Sequence, residues 1–296
     1  MNKILQFPLV RIILAVLFIG VGLLIGQTLL SLLRSAFSIK DLGLANILAF
    51  ILITPLAYFA YWTYVRYVEK RNMTELGGQR AVQEFGLGSL LGFGLFSFVI
   101  AILWLMGFYR VIGFNLIWLS LIGALLGAFV SGFVQELLFR AVIYRITEEW
   151  LGTWWALGIS ALLFGLIHRT SAGATIFSAL AVALQAGILL AAAYALTHRL
   201  WLAFGIHMAW DFANDAIFGV GVAGQTGQSI QGLLQANLNG PELLTGGALG
   251  VEASVITLVV VLIAGIFLLR IAVKKGEWGS RKNQNWLTER LGKTSQ

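Results

Sequence analysis

The 296-residue sequence contains no cysteine, and this absence excludes several kinds of site. Without thiols the chain can form no disulfide framework, no thiolate nucleophile and no cysteine-based zinc or iron–sulfur site. Histidine is also scarce, since the sequence has only three: His168, His198 and His207. Imidazole chemistry is therefore limited to these three positions.

Charged residues are few as well. Only 11% of the residues are Asp, Glu, Lys or Arg, whereas soluble domains carry roughly 25%. The sequence is 59% hydrophobic and its mean hydropathy is +0.87. This composition predicts a polytopic membrane protein that is surrounded by a lipid bilayer. The formal charge of +7 is typical of basic residues that flank apolar spans, so we expect no nucleic-acid partner.

The apolar stretches are long enough for helices that cross a bilayer, which takes about 20 residues each. We predict an all-α fold, a transmembrane bundle of about eight helices that forms one integral membrane domain over residues 1–296. The first stretch is interpreted as a signal anchor, and one long non-helical connection, Gly219 to Gly250, precedes the last helix. The predicted spans lie near residues 9–33, 45–67, 87–109, 116–146, 154–170, 174–197, 200–220 and 251–273.

The distribution of Lys and Arg predicts the orientation of the bundle. With a cytoplasmic N-terminus, sixteen of the 20 basic residues lie in inner segments and four in outer ones, which agrees with the excess of positive charge on cytoplasmic loops. We therefore expect a multi-pass protein of a bacterial-type plasma membrane with both termini in the cytoplasm. The four outer residues are Arg34, Lys40, Arg110 and Arg169.

Several ionisable residues fall within the predicted spans, where a charged group costs a few kcal/mol or more unless it faces protein or a wet cavity. By helical rise, three of the helices bring polar groups to a similar depth on the inner side of the membrane midplane. Glu136 and Arg140 are four residues apart, as are His207 and Asp211, and residues at this spacing share a helix face. These side chains could together activate a water and stabilise an oxyanion. The residues are Glu136, Arg140, His168, His207, Asp211 and Asp215.

Three segments of the sequence, QELLFR (135–140), FGLIH (164–168) and HMAWD (207–211), resemble the motifs of a known family. This is the CPBP family of CAAX proteases and bacteriocin-processing enzymes, also called Abi, whose motifs read Glu-Glu-x-x-x-Arg, Phe-x-x-x-His and His-x-x-x-Asn or Asp. The resemblance covers residues 116–220, which we expect to form the catalytic-type core. It implies intramembrane proteolysis by a hydrolase that needs no covalent intermediate and no cofactor, and a membrane-associated peptide or protein as substrate.

The resemblance also implies roles for individual residues. A glutamate pair at 135 and 136 and His168 would activate a water, while His207 and Asp211 would hold the oxyanion. Arg140 and Phe164 would support them. An ionised Asp211 would be a poor donor, so it would have to be protonated or would instead orient His207.

Position 135 departs from the family pattern, because this chain has glutamine where the first glutamate is expected. An amide cannot act as a base, although it can position a water by hydrogen bonding. Three explanations remain open: natural variation with Glu136 as the base, an inactive homologue, or a deliberate substitution.

Other interpretations of the same residues also remain open. Glu136 and Arg140 could form an ion pair that only secures packing, His168 could bridge helices, and Asp215 could line a wet cavity. A zinc site on Glu136, His168 and His207 is an alternative, although the zincin signature is absent. A serine-protease site at Ser131 is disfavoured, because no Gly-x-Ser-x-Gly nucleophile elbow surrounds this residue. A non-catalytic scaffold or chaperone, or a proton-coupled transporter, are the alternatives from other functional classes.

Overall fold

The structure is a computed structural model, and it describes residues 3–170, 173–220 and 232–276. Part of the predicted connection, residues 221–231, lies outside this description, as do four of the basic residues assigned to the inner side, which follow residue 276. Helices occur at all eight predicted positions, so the all-α polytopic fold is confirmed. Helix α1 is Pro8–Ala36, α2 is Leu42–Glu69, α3 is Ala81–Leu105, α4 is Trp118–Leu151, α5 is Thr153–His168, α6 is Ile176–Thr197, α7 is Leu200–Phe212 with a continuation over Ala213–Ile217, and the final helix is Val255–Lys274.

Six helices of the described ranges are long and apolar enough to cross a membrane, whereas α5 and α7 have only 16 and 13 residues before the continuation of α7. Helix α5 has 16 residues and is therefore about 24 Å long. Helix α7 carries three of the ionisable residues predicted to lie within the bundle. Both short helices belong to the proposed core. Helix α7 is buried on most sides, whereas one face of α5 is exposed.

The third helix ends earlier than the predicted 87–109. Gly107 has φ +78°, and its N–H donates to the carbonyl of Trp104, so the backbone turns left-handed and stops the helix. Strand β1, Tyr109–Phe114, follows and pairs in antiparallel orientation with β2, Leu234–Leu238. Part of the predicted non-helical connection is thus a strand, and a short helix over Glu242–Thr245, α8, comes after it.

The two-stranded ribbon is attached to the end of α7. The Tyr109 hydroxyl donates to the carbonyl of Phe218 at 2.9 Å, and burial raises the pKa of Tyr109 to about 12. The phenol therefore keeps its proton and its hydrogen bond over the physiological pH range. A last segment with 3₁₀-helical hydrogen bonds, Gly247–Ala253, connects α8 to the final helix, α9, Val255–Lys274.

Helix α7 lies in the centre of the bundle, and it approaches α3 very closely. A Cβ atom at Gly92 of α3 would lie 2.2 Å from the carbonyl oxygen of Ile206, and one at Gly205 would lie 2.4 Å from the carbonyl oxygen of Phe85. Only glycine permits such a backbone approach, which is a common basis of helix packing in membranes. This packing fixes the position of His207, the residue that follows Ile206.

A buried network of ion pairs joins the end of the bundle where α1 begins and α2 and α4 end. Glu69 accepts from Arg11 at 2.5 Å, from Arg71 at 2.6 Å and from Arg145 at 2.8 Å. Arg145 also pairs with Glu75 at 2.7 Å. Three helices are therefore held together through one carboxylate that is 4% exposed. A cavity of about 380 Å³ borders this network.

Candidate active site

Helix α4 contributes one face of the candidate site. The Gln135 side chain is half-buried and donates through Nε2 to Oγ of Ser131 at 2.9 Å. The Oε1 atom of Gln135 is buried and accepts no hydrogen bond from the described residues. The glutamine therefore presents an unsatisfied acceptor to the interior, beside α7.

Glu136 is entirely buried, with an exposed fraction of 0%. Its Oε1 atom accepts from Nδ1 of His207 at 2.8 Å and from Nη1 of Arg140 at 3.1 Å. Its Oε2 atom has no hydrogen-bond partner among the described residues. One carboxylate thus joins the first and third motifs directly and keeps a second oxygen for another donor.

Arg140 is buried to the same degree and is held on three sides. Besides the bond to Glu136, its Nη2 donates to the carbonyl of Gly187 at 3.3 Å, and its guanidinium carbon lies 4.5 Å from the centre of the Phe164 ring. This geometry is a cation–π contact, which gains strength when it is desolvated. The predicted pairing of Arg140 with Glu136 is therefore present, and a contact to the second motif is added.

The segment that follows Glu136, Leu137–Tyr144, has π-helical hydrogen bonds. A π-helical turn is wider than an α-helical one and often occurs at functional sites. Further π-helical segments lie at Ala183–Gly187 in α6 and at Ala213–Ile217 beyond Asp211. All three segments lie next to the candidate site. Leu137–Tyr144 follows Glu136, Ala183–Gly187 supplies the Gly187 carbonyl that accepts from Arg140, and Ala213–Ile217 follows Asp211 by two residues.

Phe164 of α5 lies between the two imidazoles of the site. Its ring centre is 4.8 Å from that of His168 and 5.7 Å from that of His207. The two histidines therefore lie within roughly 12 Å of each other, a span that a peptide group and one water can bridge. Nδ1 of His168 is 2.7 Å from the carbonyl of Phe164. Because a carbonyl can only accept, Nδ1 donates there, and Nε2 is left as the open nitrogen.

Helix α7 places His207 between two carboxylates. Its Nδ1 faces Glu136, and its Nε2 is 3.7 Å from Oδ2 of Asp211. This second distance is too long for a hydrogen bond, so Nε2 is available to a ligand. Asp211 and Asp215 follow at the less buried end of the helix, and the Asp211 side chain is 20% exposed.

The remaining histidine lies apart from these groups. Nε2 of His198 is 3.5 Å from a carboxylate oxygen of Glu148, beside the ion-pair network. The sequence analysis assigned it no chemistry, and the structure places it between α6 and α7 in a left-handed conformation, φ 49°.

Sequence reasoning missed Glu252, in the 3₁₀ segment before α9. Its Oε1 atom accepts from the indole Nε1 of Trp210 at 3.0 Å, the residue of α7 that precedes Asp211. A signal was present, since Glu252 is the one acidic residue between Gly247 and Lys274. An ionisable residue at the start of an apolar span is itself a reason to suspect a site.

The described residues contain no group of three or more His, Asp or Glu side chains arranged to hold a metal ion. Glu136, His168 and His207, the three residues considered for zinc, are arranged differently: the glutamate oxygen bonds His207, and His168 packs on the far side of Phe164.

Residues 116–213 match the family model described as Type II CAAX prenyl endopeptidase Rce1-like. This match is consistent with the CPBP family of CAAX proteases, which the three motifs resemble, and residues 116–213 are called the CAAX-protease segment from here on. The CAAX-protease segment contains the three motifs and covers about a third of the 296 residues. Comparisons with curated proteins and with solved structures found no match.

The CAAX-protease segment lies in a chain of several apolar helices, so the protein is an integral, multi-pass membrane protein. The segment begins two residues before α4 and ends at the first residue of the π-helical continuation of α7. It includes Gln135, Glu136, His168, His207 and Asp211, but not Glu252.

Proposed function

We propose that this protein is an intramembrane endopeptidase of the CAAX-protease type that cleaves a membrane-associated peptide or protein. The observation that carries the proposal is the hydrogen bond between Glu136 and His207, 2.8 Å. It joins residues 71 positions apart, from the first and third motifs, and the Phe164 ring of the second motif contacts His207. The three motifs thus meet at one place, as a shared catalytic site requires.

The proposed reaction begins with removal of a proton from a bound water. His168 would accept this proton on Nε2, while the Gln135 side chain or the free Oε2 of Glu136 holds the water by a hydrogen bond. The resulting hydroxide attacks the carbonyl carbon of the peptide bond. The tetrahedral intermediate then collapses: its C–N bond breaks while the protonated His168 gives the proton to the leaving amine, so that the products are a carboxylic acid and an amine.

His207 is suited to stabilise the oxyanion of this reaction. With protons on both nitrogens, it donates Nδ1–H to Glu136 and keeps Nε2–H for the oxyanion, as a fixed donor in a water-poor site. The Asp211 carboxylate lies close enough to attract the His207 imidazolium, but at 3.7 Å it does not accept a hydrogen bond from Nε2–H, which stays available to the oxyanion. We therefore assign Asp211 to orientation of His207 rather than to donation.

A second candidate is a non-catalytic scaffold that binds membrane peptides, a role favoured by Gln135. Glutamine cannot take a proton from water, and Oε1 of the neighbouring carboxylate is occupied by His207 and Arg140. Such a protein would keep the cavity and its hydrogen-bonding groups but would cleave nothing.

The substitution Gln135→Glu distinguishes the two candidates. It changes the side-chain volume very little, and Oγ of Ser131 can then donate to one oxygen of the new carboxylate. We expect peptidase activity to rise by at least about a hundredfold, the lower end for a general base. Cleavage of a panel of membrane and prenylated peptides by the purified protein in liposomes measures this.

Two controls define the roles in the Gln135→Glu background. Glu136→Gln and His168→Ala should each abolish the gain. An unmodified protein that cleaves as fast as Gln135→Glu would show instead that no carboxylate is needed at position 135, and that Glu136 and His168 activate the water. If neither form cleaves any peptide while a peptide or partner protein binds stoichiometrically, the scaffold is the correct interpretation.

A further inference from the structure

The cavity beside the ion-pair network is separate from the candidate active site. Its volume is about 380 Å³, and it is lined by residues from the end of α4, the end of α6 and the connection between α2 and α3. None of the lining residues belongs to the three motifs. The groups that face this cavity therefore have no part in the proposed reaction.

The guanidinium groups of the lining have used almost all of their donors. Arg71 makes five hydrogen bonds, as many as a guanidinium has N–H groups. Arg145 makes a further four, to one backbone carbonyl and two carboxylates. At most one N–H of the two side chains is left for a ligand, so the arginines are poorly suited to bind an anion.

Glu148 keeps one carboxylate oxygen for a ligand. Its Oε1 atom accepts from the hydroxyls of Tyr144 at 3.4 Å and Thr153 at 3.0 Å. Its Oε2 atom lies 3.5 Å from Nε2 of His198 and accepts no hydrogen bond from the described residues. Because the side chain is only 11% exposed, this oxygen is a largely desolvated acceptor at the wall of the cavity.

Tyr194 supplies a second polar group that lacks a partner. The residue is 1% exposed and lines the cavity, and its hydroxyl makes no hydrogen bond with any described residue. Its ring packs edge-on against Tyr144, with ring centres 5.4 Å apart, so the direction of the hydroxyl is fixed. Buried polar groups are normally hydrogen-bonded, and this hydroxyl therefore indicates that the cavity holds a polar ligand.

The charges of the lining determine the sign of that ligand. The lining has three carboxylates and two guanidiniums, from Glu75, Glu148, Glu149, Arg71 and Arg145. The ion pair of Arg11 and Glu69 behind it adds no net charge. With a neutral His198, one negative charge is in excess, and a buried charge without a counter-charge is costly. A cation is therefore the favoured ligand.

We propose that this cavity is a binding site for an organic cation with a primary ammonium group, which donates to Oε2 of Glu148 and to the hydroxyl of Tyr194. An ammonium has three N–H donors and no acceptor, so it satisfies both groups and balances the excess charge. A lysine side chain of a peptide and a free polyamine carry this same group. The proposal does not depend on the endopeptidase function, because no residue of the candidate active site takes part.

Equilibrium dialysis with radiolabelled spermidine tests the proposal. The protein is placed in phosphatidylcholine nanodiscs at physiological ionic strength, and empty nanodiscs correct for binding to lipid. We expect saturable binding of spermidine, and Glu148→Gln should weaken it at least about tenfold, as expected for the loss of a hydrogen bond to a charged group. Tyr194→Phe should weaken it by less. Glu242→Gln is the matched control and should have no effect, since Glu242 is exposed in α8.

Two short peptides distinguish the sources of the ammonium group. Acetyl-Gly-Lys-Gly-amide and its counterpart with an acetylated lysine side chain compete with spermidine. Displacement by the first peptide alone assigns the site to a lysine side chain, and displacement by neither assigns it to a free polyamine. Displacement by both would show that the positive charge is not recognised and would overturn the proposal.

The thermal unfolding temperature without ligand shows whether each variant is folded. If Glu148→Gln is destabilised, Tyr194→Phe decides the test, because it removes only a hydroxyl that has no partner among the described residues. The proposal is overturned if spermidine does not bind saturably, or if folded variants bind it as tightly as the unmodified protein. It is also overturned if inorganic phosphate raises the unfolding temperature and spermidine does not, since a bound ligand stabilises the folded state.

Discussion

At the scale of single residues, the site depends on how one buried carboxylate is neutralised. Glu136 is fully buried, and an isolated ionised carboxylate at such a position would be very costly. Arg140 and His207 bond the same oxygen, so the carboxylate is compensated from its own helix and from α7. The Glu136 carboxylate that the proposed reaction uses therefore also requires Arg140 as a counter-charge.

Removal of Arg140 should therefore reveal the cost of the buried charge. We expect Arg140→Met to lower the stability by about 3–5 kcal/mol, the usual cost of breaking a buried ion pair by removing one partner. The double variant Glu136→Gln/Arg140→Met should recover a large part of this loss, because it leaves no buried charge at that position. Chemical unfolding in mixed micelles, followed by tryptophan fluorescence, measures both. Equal losses in the single and double variants would show that packing against Phe164 matters, and that charge does not.

The individual contacts of the site could be predicted from the sequence only within one helix. The spacing of Glu136 and Arg140 predicted a shared face, and the two are bonded. Nothing in the sequence indicated that Glu136 would reach His207 rather than a water, because that contact depends on the relative rotation of α4 and α7. Glu252 was missed for a related reason: it lies in a segment whose apolar composition conceals its proximity to α7.

At the scale of secondary structure, the position of α7 is set by its packing against α3. Gly88, Gly92 and Gly205 bring the two backbones together, and the residues around them on α7 are buried on most sides. Hydrophobic attraction between helices is weak in lipid, so close van der Waals contact supplies much of the association. The glycines consequently determine where His207 and Asp211 lie.

A larger side chain at Gly92 should displace α7. A Cβ atom there would be 2.2 Å from a backbone oxygen that cannot move aside easily. We expect Gly92→Val to lower the thermal unfolding temperature in detergent by several degrees, the shift that a loss of about 1–3 kcal/mol produces. Gly94→Val is the matched control on the same helix, because no atom lies within 4 Å of a Cβ at Gly94. A similar loss in both variants would mean that helix propensity, and not the approach of α7, is responsible.

The elements were predicted well where they are long and apolar, and poorly at their ends. Hydropathy alone extended the third helix to residue 109, whereas Gly107 ends it and Tyr109 begins a strand. The ribbon of β1 and β2 joins segments more than 100 residues apart, and such pairing leaves no local pattern. The π-helical segments, too, follow from packing between helices rather than from composition.

At the scale of the whole molecule, the CAAX-protease segment is enclosed by helices that carry no motif. Helices α1 and α2 are joined to α4 by the network around Glu69, and the 3₁₀ segment before the final helix places Glu252 against Trp210 of α7. The ion-pair network forms where the basic residues Arg11, Arg71 and Arg145 gather. These residues belong to the sixteen that the sequence assigns to the cytoplasmic side, so the buried network and the predicted orientation depend on the same charges.

The orientation of the bundle, and whether α5 spans the membrane, can be tested together because the chain has no cysteine of its own. We expect single cysteines at Thr170 and Asn239, both exposed, to react with an impermeant maleimide from the outside of sealed right-side-out vesicles. A cysteine at Gln79, between α2 and α3, should react only after the vesicles are permeabilised. Thr170 decides the status of α5, since its 16 residues reach about 24 Å and the hydrocarbon core is about 30 Å thick. If Thr170→Cys reacts only after permeabilisation while Asn239→Cys reacts from outside, α5 enters the bilayer without crossing it, and the count of eight spans is wrong.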